Sequence, residues 1–221
     1  MVGNGYLGYR GTRPDQGADD FVGCIVSDTY DMADGVWREL CTVPNGLRVT
    51  LTADSEPLTF DPSRDAEVEL TLQTGEYTHR STWTSGAVDA TVSVRRFASL
   101  DDLHLVMQEI TVVADAPMAL SIHTDIDGDV WSLNGHHLGP IRATREPGLA
   151  TARCSTVESG VDIVVATPGR AVDHLTRGIA AGRVVRRIHA VLALIPEGKV
   201  EAARHAHVAA PLHGRQHALH V

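Results

Sequence analysis

The carboxylates of DIDGDVW, Asp125, Asp127 and Asp129, stand two residues apart and are the arrangement in this chain nearest to a cation loop. A calcium loop of the EF-hand type needs glycine at its sixth position and a bidentate glutamate at its twelfth. Counted from Asp125, Gly128 is fourth and the twelfth residue is His136, so the spacing fails. Carboxylates at alternate positions read instead as a solvated strand end. His136 and His137 follow Asn134-Gly135, the strongest dipeptide signal for a hairpin turn. Neighbouring histidines on a strand point to opposite faces and chelate one ion poorly, so the pair reads as solvated turn residues. Five more histidines, His205, His207, His213, His217 and His220, gather near the C-terminus. His213 and His217 can share a helix face, but no third ligand stands at a defined spacing. No structural metal and no cofactor is therefore expected, and no metal or cofactor-binding residue is assigned.

Signatures of catalysis are missing too. The chain has no GxSxG, no HExxH and no glycine-rich phosphate loop opening a helix. Asp31, Glu39, Glu56 and Glu109 are available carboxylates, but a glycosidase pair is defined by separation in space, and nothing in the chain marks any of them out. No catalytic residue is assigned.

The composition bounds what else the protein can be. With 221 residues, 43% hydrophobic and 21% charged, the chain can bury one large core. Its net charge of -9 argues against a nucleic acid or an anionic membrane as partner. No positively charged leader precedes an apolar run, and no apolar stretch is long enough to span a bilayer. The three cysteines, Cys24, Cys41 and Cys154, are widely spaced with no CxxC, which fits a reducing cytoplasm rather than a disulfide framework or a zinc cluster.

The elements that must position these groups follow a period of two. In AEVELTLQ, Val68, Leu70 and Leu72 share one face and Glu67, Glu69, Thr71 and Gln73 the other, predicting a strand with the apolar face buried. Thr74-Gly75 and Ser85-Gly86 then turn the chain through EYTHRSTW into AVDATVSVRRF, where Val88, Ala90, Val92 and Val94 are expected inside. LHLVMQEITVV, MALSIHTDI, VDIVVAT and GRVVRRIHAVLALI add four more β-branched runs, giving a large antiparallel β-sandwich with little helix before Pro196. From Pro196 the chain turns rich in alanine and histidine, and Val200, Ala203, Ala206 and Ala210 give a short helical stripe. Two regions result: an all-β domain over 1–195 and the start of a helical linker over 196–221.

The opening stretch, GNGYLGYRG, resembles the first signature of glycoside hydrolase family 65, which includes maltose, trehalose, kojibiose and nigerose phosphorylases and some trehalases. TYDMADGVWRELCTVPNGLRVTL, LTLQTGEYTHRSTW, VRRFASLDDLHLVMQEITV and IHTDIDGDVWSLNGHH resemble the family's following blocks, in order, from Gly3 to about His137. The resemblance implies a super-sandwich of galactose-mutarotase-like fold. It also implies that chemistry on α-glucosyl disaccharides is done in a following helical barrel that this chain does not contain. Tyr6, Leu7 and Tyr9 would then seat against the sandwich, with Arg10 pairing to a nearby carboxylate.

On that reading the chain is a non-catalytic domain serving packing, assembly and the shaping of an active site, inactive alone and self-associating. Two alternatives stay open. A free-standing carbohydrate-binding module needs an exposed aromatic platform. An aldose mutarotase needs a His/Glu set converging in a cleft, for which His79, His104, His123 and Glu109 are the available residues.

Overall fold

The computed structural model describes residues 1–86, 88–146, 149–168, 177–179 and 182–186. They are nearly all antiparallel strand, with one short 3-10 turn at Ala18–Asp20. No helix among the described residues is long and apolar enough to cross a membrane. The helical stripe expected after Pro196 and the five C-terminal histidines lie outside the described residues.

A first sheet joins β1 (Val2–Gly3), β2 (Leu7–Tyr9), β3 (Cys24–Ala33) and β4 (Trp37–Thr42) in chain order. The large sheet is built from β5 (Asn45–Ala53), β6 (Glu56–Phe60), β7 (Glu67–Thr71), β8 (Glu76–Thr84), β9 (Asp89–Ala98), β10 (Val106–Ala114) and β11 (Met118–Asp127). A third sheet carries β12 (Arg142–Glu146), β13 (Leu149–Ser155) and β14 (Asp162–Pro168). Two short strands, β15 (Arg177–Ile179) and β16 (Gly182–Arg186), complete the large sheet, whose order is β15-β11-β5-β6-β8-β9-β10-β16 with β7 beside β8.

Alternation dictates the core. Ala90, Val92 and Val94 of β9 face Ile110 and Val112 of β10, and with Leu51, Leu58, Trp83, Leu120 and Ile122 they fill the inside of the large sheet. A second cluster (Leu7, Tyr9, Val26, Val43, Leu47, Val106, Leu138 and Ile163 among it) binds the first and third sheets to one end of the large one. The turns at Thr74-Gly75 and Ser85-Gly86 fall where expected, with Gly75 at φ 66° and Gly86 at φ 82°.

The expectation for β7 is corrected. Val68, Leu70 and Leu72 are 63%, 44% and 82% exposed, and Glu67 and Glu69 are exposed as well. Among the described residues the strand pairs only with β8, off the path of the sheet. Alternation tells which side chains share a face, but no second layer of described residues covers the apolar one here.

The opening glycines serve close approach. Gly5 holds φ 89°, and a Cβ on Gly11 would lie 2.6 Å from the Tyr77 ring. Asn4, just before Gly5, acts as a staple: its Oδ1 accepts from the Tyr6 and Leu7 amides, and its Nδ2 donates to the carbonyls of Ser99 and Leu103. Leu7 and Tyr9 are buried and Tyr6 packs on the core, its ring tilted 57° against that of His104 with centroids 4.5 Å apart. Among the described residues Arg10 pairs with no carboxylate; its guanidinium donates to the Phe21 carbonyl at 3.0 Å and lies over the Phe21 ring.

Candidate functional site

The densest group of titratable side chains lies where β3 and β4 meet the loop after β11. Its origin is a change of phase in β3. Cys24 and Val26 are buried at even positions; Asp28 then adopts φ 67°, the pairing with β4 shifts register, and the odd residues Thr29 and Asp31 turn inward. From Ile25 to Tyr30 β3 advances five residues while β4 advances two from Thr42 to Leu40, and this odd surplus flips the faces of the rest. Asp31 then stands directly opposite Glu39 of β4, with Cys41 two residues further along the Glu39 face.

Two carboxylates opposite one another on neighbouring strands repel. His137 comes between them from the loop 128–141. Its Nδ1 lies 3.1 Å from Asp31 Oδ2 and its Nε2 2.5 Å from Glu39 Oε1. An imidazole donates through both nitrogens only as the doubly protonated cation. The loop is pinned from its far side, since the Val157 amide donates to the His137 carbonyl and the Gly139 amide to Ser155. The same 156–160 turn completes Asp31: the amides of Glu158 and Ser159 donate to its Oδ1 at 3.1 and 2.7 Å, and the Ser159 hydroxyl to the Tyr30 carbonyl. Glu39 is held at its outer edge by the Asn134 side chain and backbone amide.

The electrostatics follow from these bonds. Burial pushes the Asp31 carboxyl up, but the Ser159 amide and His137 outweigh it and hold it at about 2. Glu39 is likewise raised by burial and lowered on balance by His137 and Asn134. Burial lowers His137, and its two carboxylate partners more than restore it, so the imidazolium is favoured. The Cys41 thiol is pushed up to about 12 by burial and by the charges of Asp31 and Glu39. One donor atom from each of Asp31, Cys41 and His137 lies within 4.8 Å of the other two, which makes these the residues that could hold a metal ion.

The expectation of two solvated turn histidines, His136 and His137, holds only for the first. His136 is exposed, whereas His137 is 2% exposed and Asn134-Gly135 forms a bend inside a long loop instead of a hairpin. Asp31 and Glu39 were available but unmarked, and only the fold brings them to one histidine. Asp125 and Asp127 flank a cation of the chain itself: Arg48 Nη1 is 2.7 Å from Asp127 and its Nε 4.0 Å from Asp125. Glu56 is exposed at the start of β6.

The mutarotase set does not converge. His79 lies opposite Val94 and Glu109 opposite Arg95, so the two occupy opposite faces of the large sheet. His123 is on β11 opposite Thr50, and His104 bonds Asp102 while packing against the Tyr6 ring.

A family model described as glycosyl hydrolase family 65, N-terminal domain, matches residues 1–194. The 1,2-alpha-glucosylglycerol phosphorylase of Bacillus selenitireducens is 41% identical over 140 residues, covering 62% of this chain and 18% of that protein. The nigerose phosphorylase of Lachnoclostridium phytofermentans is 29% identical over 148 residues, covering 66% of this chain and 20% of that protein. The chain thus spans about a fifth of the length of the curated relatives it matches. A solved structure assigned as a kojibiose phosphorylase from the human microbiome superposes with a TM-score of 0.66 at 13% identity, over 87% of this chain and 28% of that chain. At that identity the likeness speaks for the fold.

Proposed function

The chain belongs to glycosyl hydrolase family 65, as its N-terminal domain, and from that premise we propose that it is the non-catalytic β-domain of an enzyme acting on α-linked glucose disaccharides. The observation that carries this reading is the match over residues 1–194, while relatives named as phosphorylases are about five times longer than the matched stretch. The domain's work is packing and assembly: it covers a helical-barrel catalytic domain, and its loops help to shape that domain's active site. The boundary lies near residue 195, the tail from 196 begins the helical linker, the enzyme is cytoplasmic, and copies associate.

The internal chemistry agrees with a passive role. Asp31 and His137 are 1% and 2% exposed and are bonded to each other, so neither can reach a glycosidic oxygen. A carbohydrate-binding module would need rings laid out as a platform. Phe21 and Trp131 instead meet edge to face at 83°, a packed pair and not a flat one.

The reading is tested by a chimera. Residues 1–195 replace the matched region of the Bacillus glucosylglycerol phosphorylase, and phosphorolysis is measured. Activity in the chimera, absent from the relative lacking that region, is expected. A truncated relative as active as the whole enzyme would contradict a packing role.

A further inference from the structure

We propose that Asp31, Cys41 and His137 form a zinc site that clamps the β3–β4 hairpin to the loop after β11. The three side chains supply one oxygen, one sulfur and one nitrogen, a donor set that suits a borderline-soft ion with tetrahedral preference. Their donor atoms lie within 4.8 Å of one another, and the Nδ1 to Oδ2 separation is 3.1 Å. Two ligands of one tetrahedral zinc stand roughly 3.3–3.7 Å apart, so closing the three donors onto one ion needs shifts of about 1 Å or less. Water fills the fourth position.

The surroundings match what holds such ligands in place. The nitrogen of His137 turned away from Asp31 faces Glu39 Oε1 at 2.5 Å. This is the carboxylate–histidine–metal relay, in which the outer carboxylate fixes the ring and its tautomer. Glu39 is in turn fixed by Asn134, and the second oxygen of Asp31 by the amides of Glu158 and Ser159. Both ligands that come from long sequence separation are thus oriented from behind before any ion arrives.

Binding takes Cys41 as the thiolate and His137 through the lone pair of Nδ1, so protons are released as zinc enters. The ion also engages a thiol that is buried on the Glu39 face, beside two carboxylates. Ligand spacing within one segment of sequence does not announce such a site. Here β3, β4 and the 128–141 loop supply one each.

The whole 221-residue chain, dialysed against zinc and then against metal-free buffer, is expected to retain one zinc ion, measured by atomic emission. Reconstitution with cobalt(II) is expected to give a thiolate-to-metal charge-transfer band in the near ultraviolet. Cys41→Ser, close in size to the parent, should abolish that band, and Cys154→Ser should leave it. Glu39→Gln, a positioning change, should weaken zinc about 10- to 100-fold without loss of the band. Circular dichroism verifies folding, and the wild-type spectrum stands whether or not the variants fold. No retained zinc, or metal bound without a thiolate band (as the C-terminal histidines alone would bind it), would overturn the site.

Discussion

His137 Nδ1 lies 3.1 Å from Asp31 Oδ2, although 106 residues separate the two, and this contact closes the first sheet onto the loop after β11. Each partner is almost fully buried, so removing one leaves the other as a desolvated polar group. Asp31→Asn is expected to lower unfolding stability by about 3 kcal/mol, as read from urea denaturation. A loss under about 0.5 kcal/mol would mean that the contact contributes nothing to the fold.

Two leucines separate the core from the uncovered strand. Leu58 is 2% exposed inside the large sheet, and Leu72 is 82% exposed just beyond β7. Leu58→Ala should destabilise by about 3 kcal/mol, and Leu72→Ala should stay within about 0.5 kcal/mol. Equal losses would show that the apolar face of β7 is covered after all.

Much of this was readable from the sequence. Val88 to Val94 and the runs of β10 and β11 alternate cleanly, because one face of each meets a core, and the family blocks from Gly3 to His137 appear in order. The exposure of β7 is not legible in its alternation, since that pattern holds whether or not a layer lies above it. The Asp31 cluster was out of reach for a different reason. The phase change at Asp28 makes Asp31 point inward, and no propensity announces a left-handed aspartate in mid-strand. His137, beside an exposed twin, becomes a core residue only through the backbone bonds that hold the loop from 128 to 141.

Buried His79 gives the fold an acid limit. Burial, and then the charges of Arg13 and Arg96, lower its folded-state pKa below the unfolded value. The folded protein therefore binds fewer protons than the unfolded chain. The contribution is fully present above the unfolded pKa of about 6.5 and is lost as pH falls through the lower folded value. Wild type minus His79→Gln should show this loss below pH ~6.5, at no more than about 1.4 kcal/mol per pH unit. A difference independent of pH between about 5 and 8 would contradict it.

Arg96 is a cation in the core with no carboxylate against it among the described residues. It is fully buried, donates from Nε to Gln108 and from Nη1 to the Thr12 carbonyl, and lies over the Tyr9 ring at 4.9 Å. Arg96→Ala removes both bonds and opens a cavity, and should lower stability by about 3 kcal/mol or more in thermal or urea unfolding. An unchanged midpoint would mean that Gln108 and Thr12 find other partners.

The central claim, a β-domain that does no chemistry by itself, is tested most directly by assaying the 221-residue chain alone. Incubated with kojibiose, nigerose, maltose, trehalose or glucosylglycerol, with and without phosphate, it should release neither glucose nor glucose 1-phosphate above background. Turnover that disappears in Glu39→Gln, the most exposed member of the buried cluster, would contradict the account.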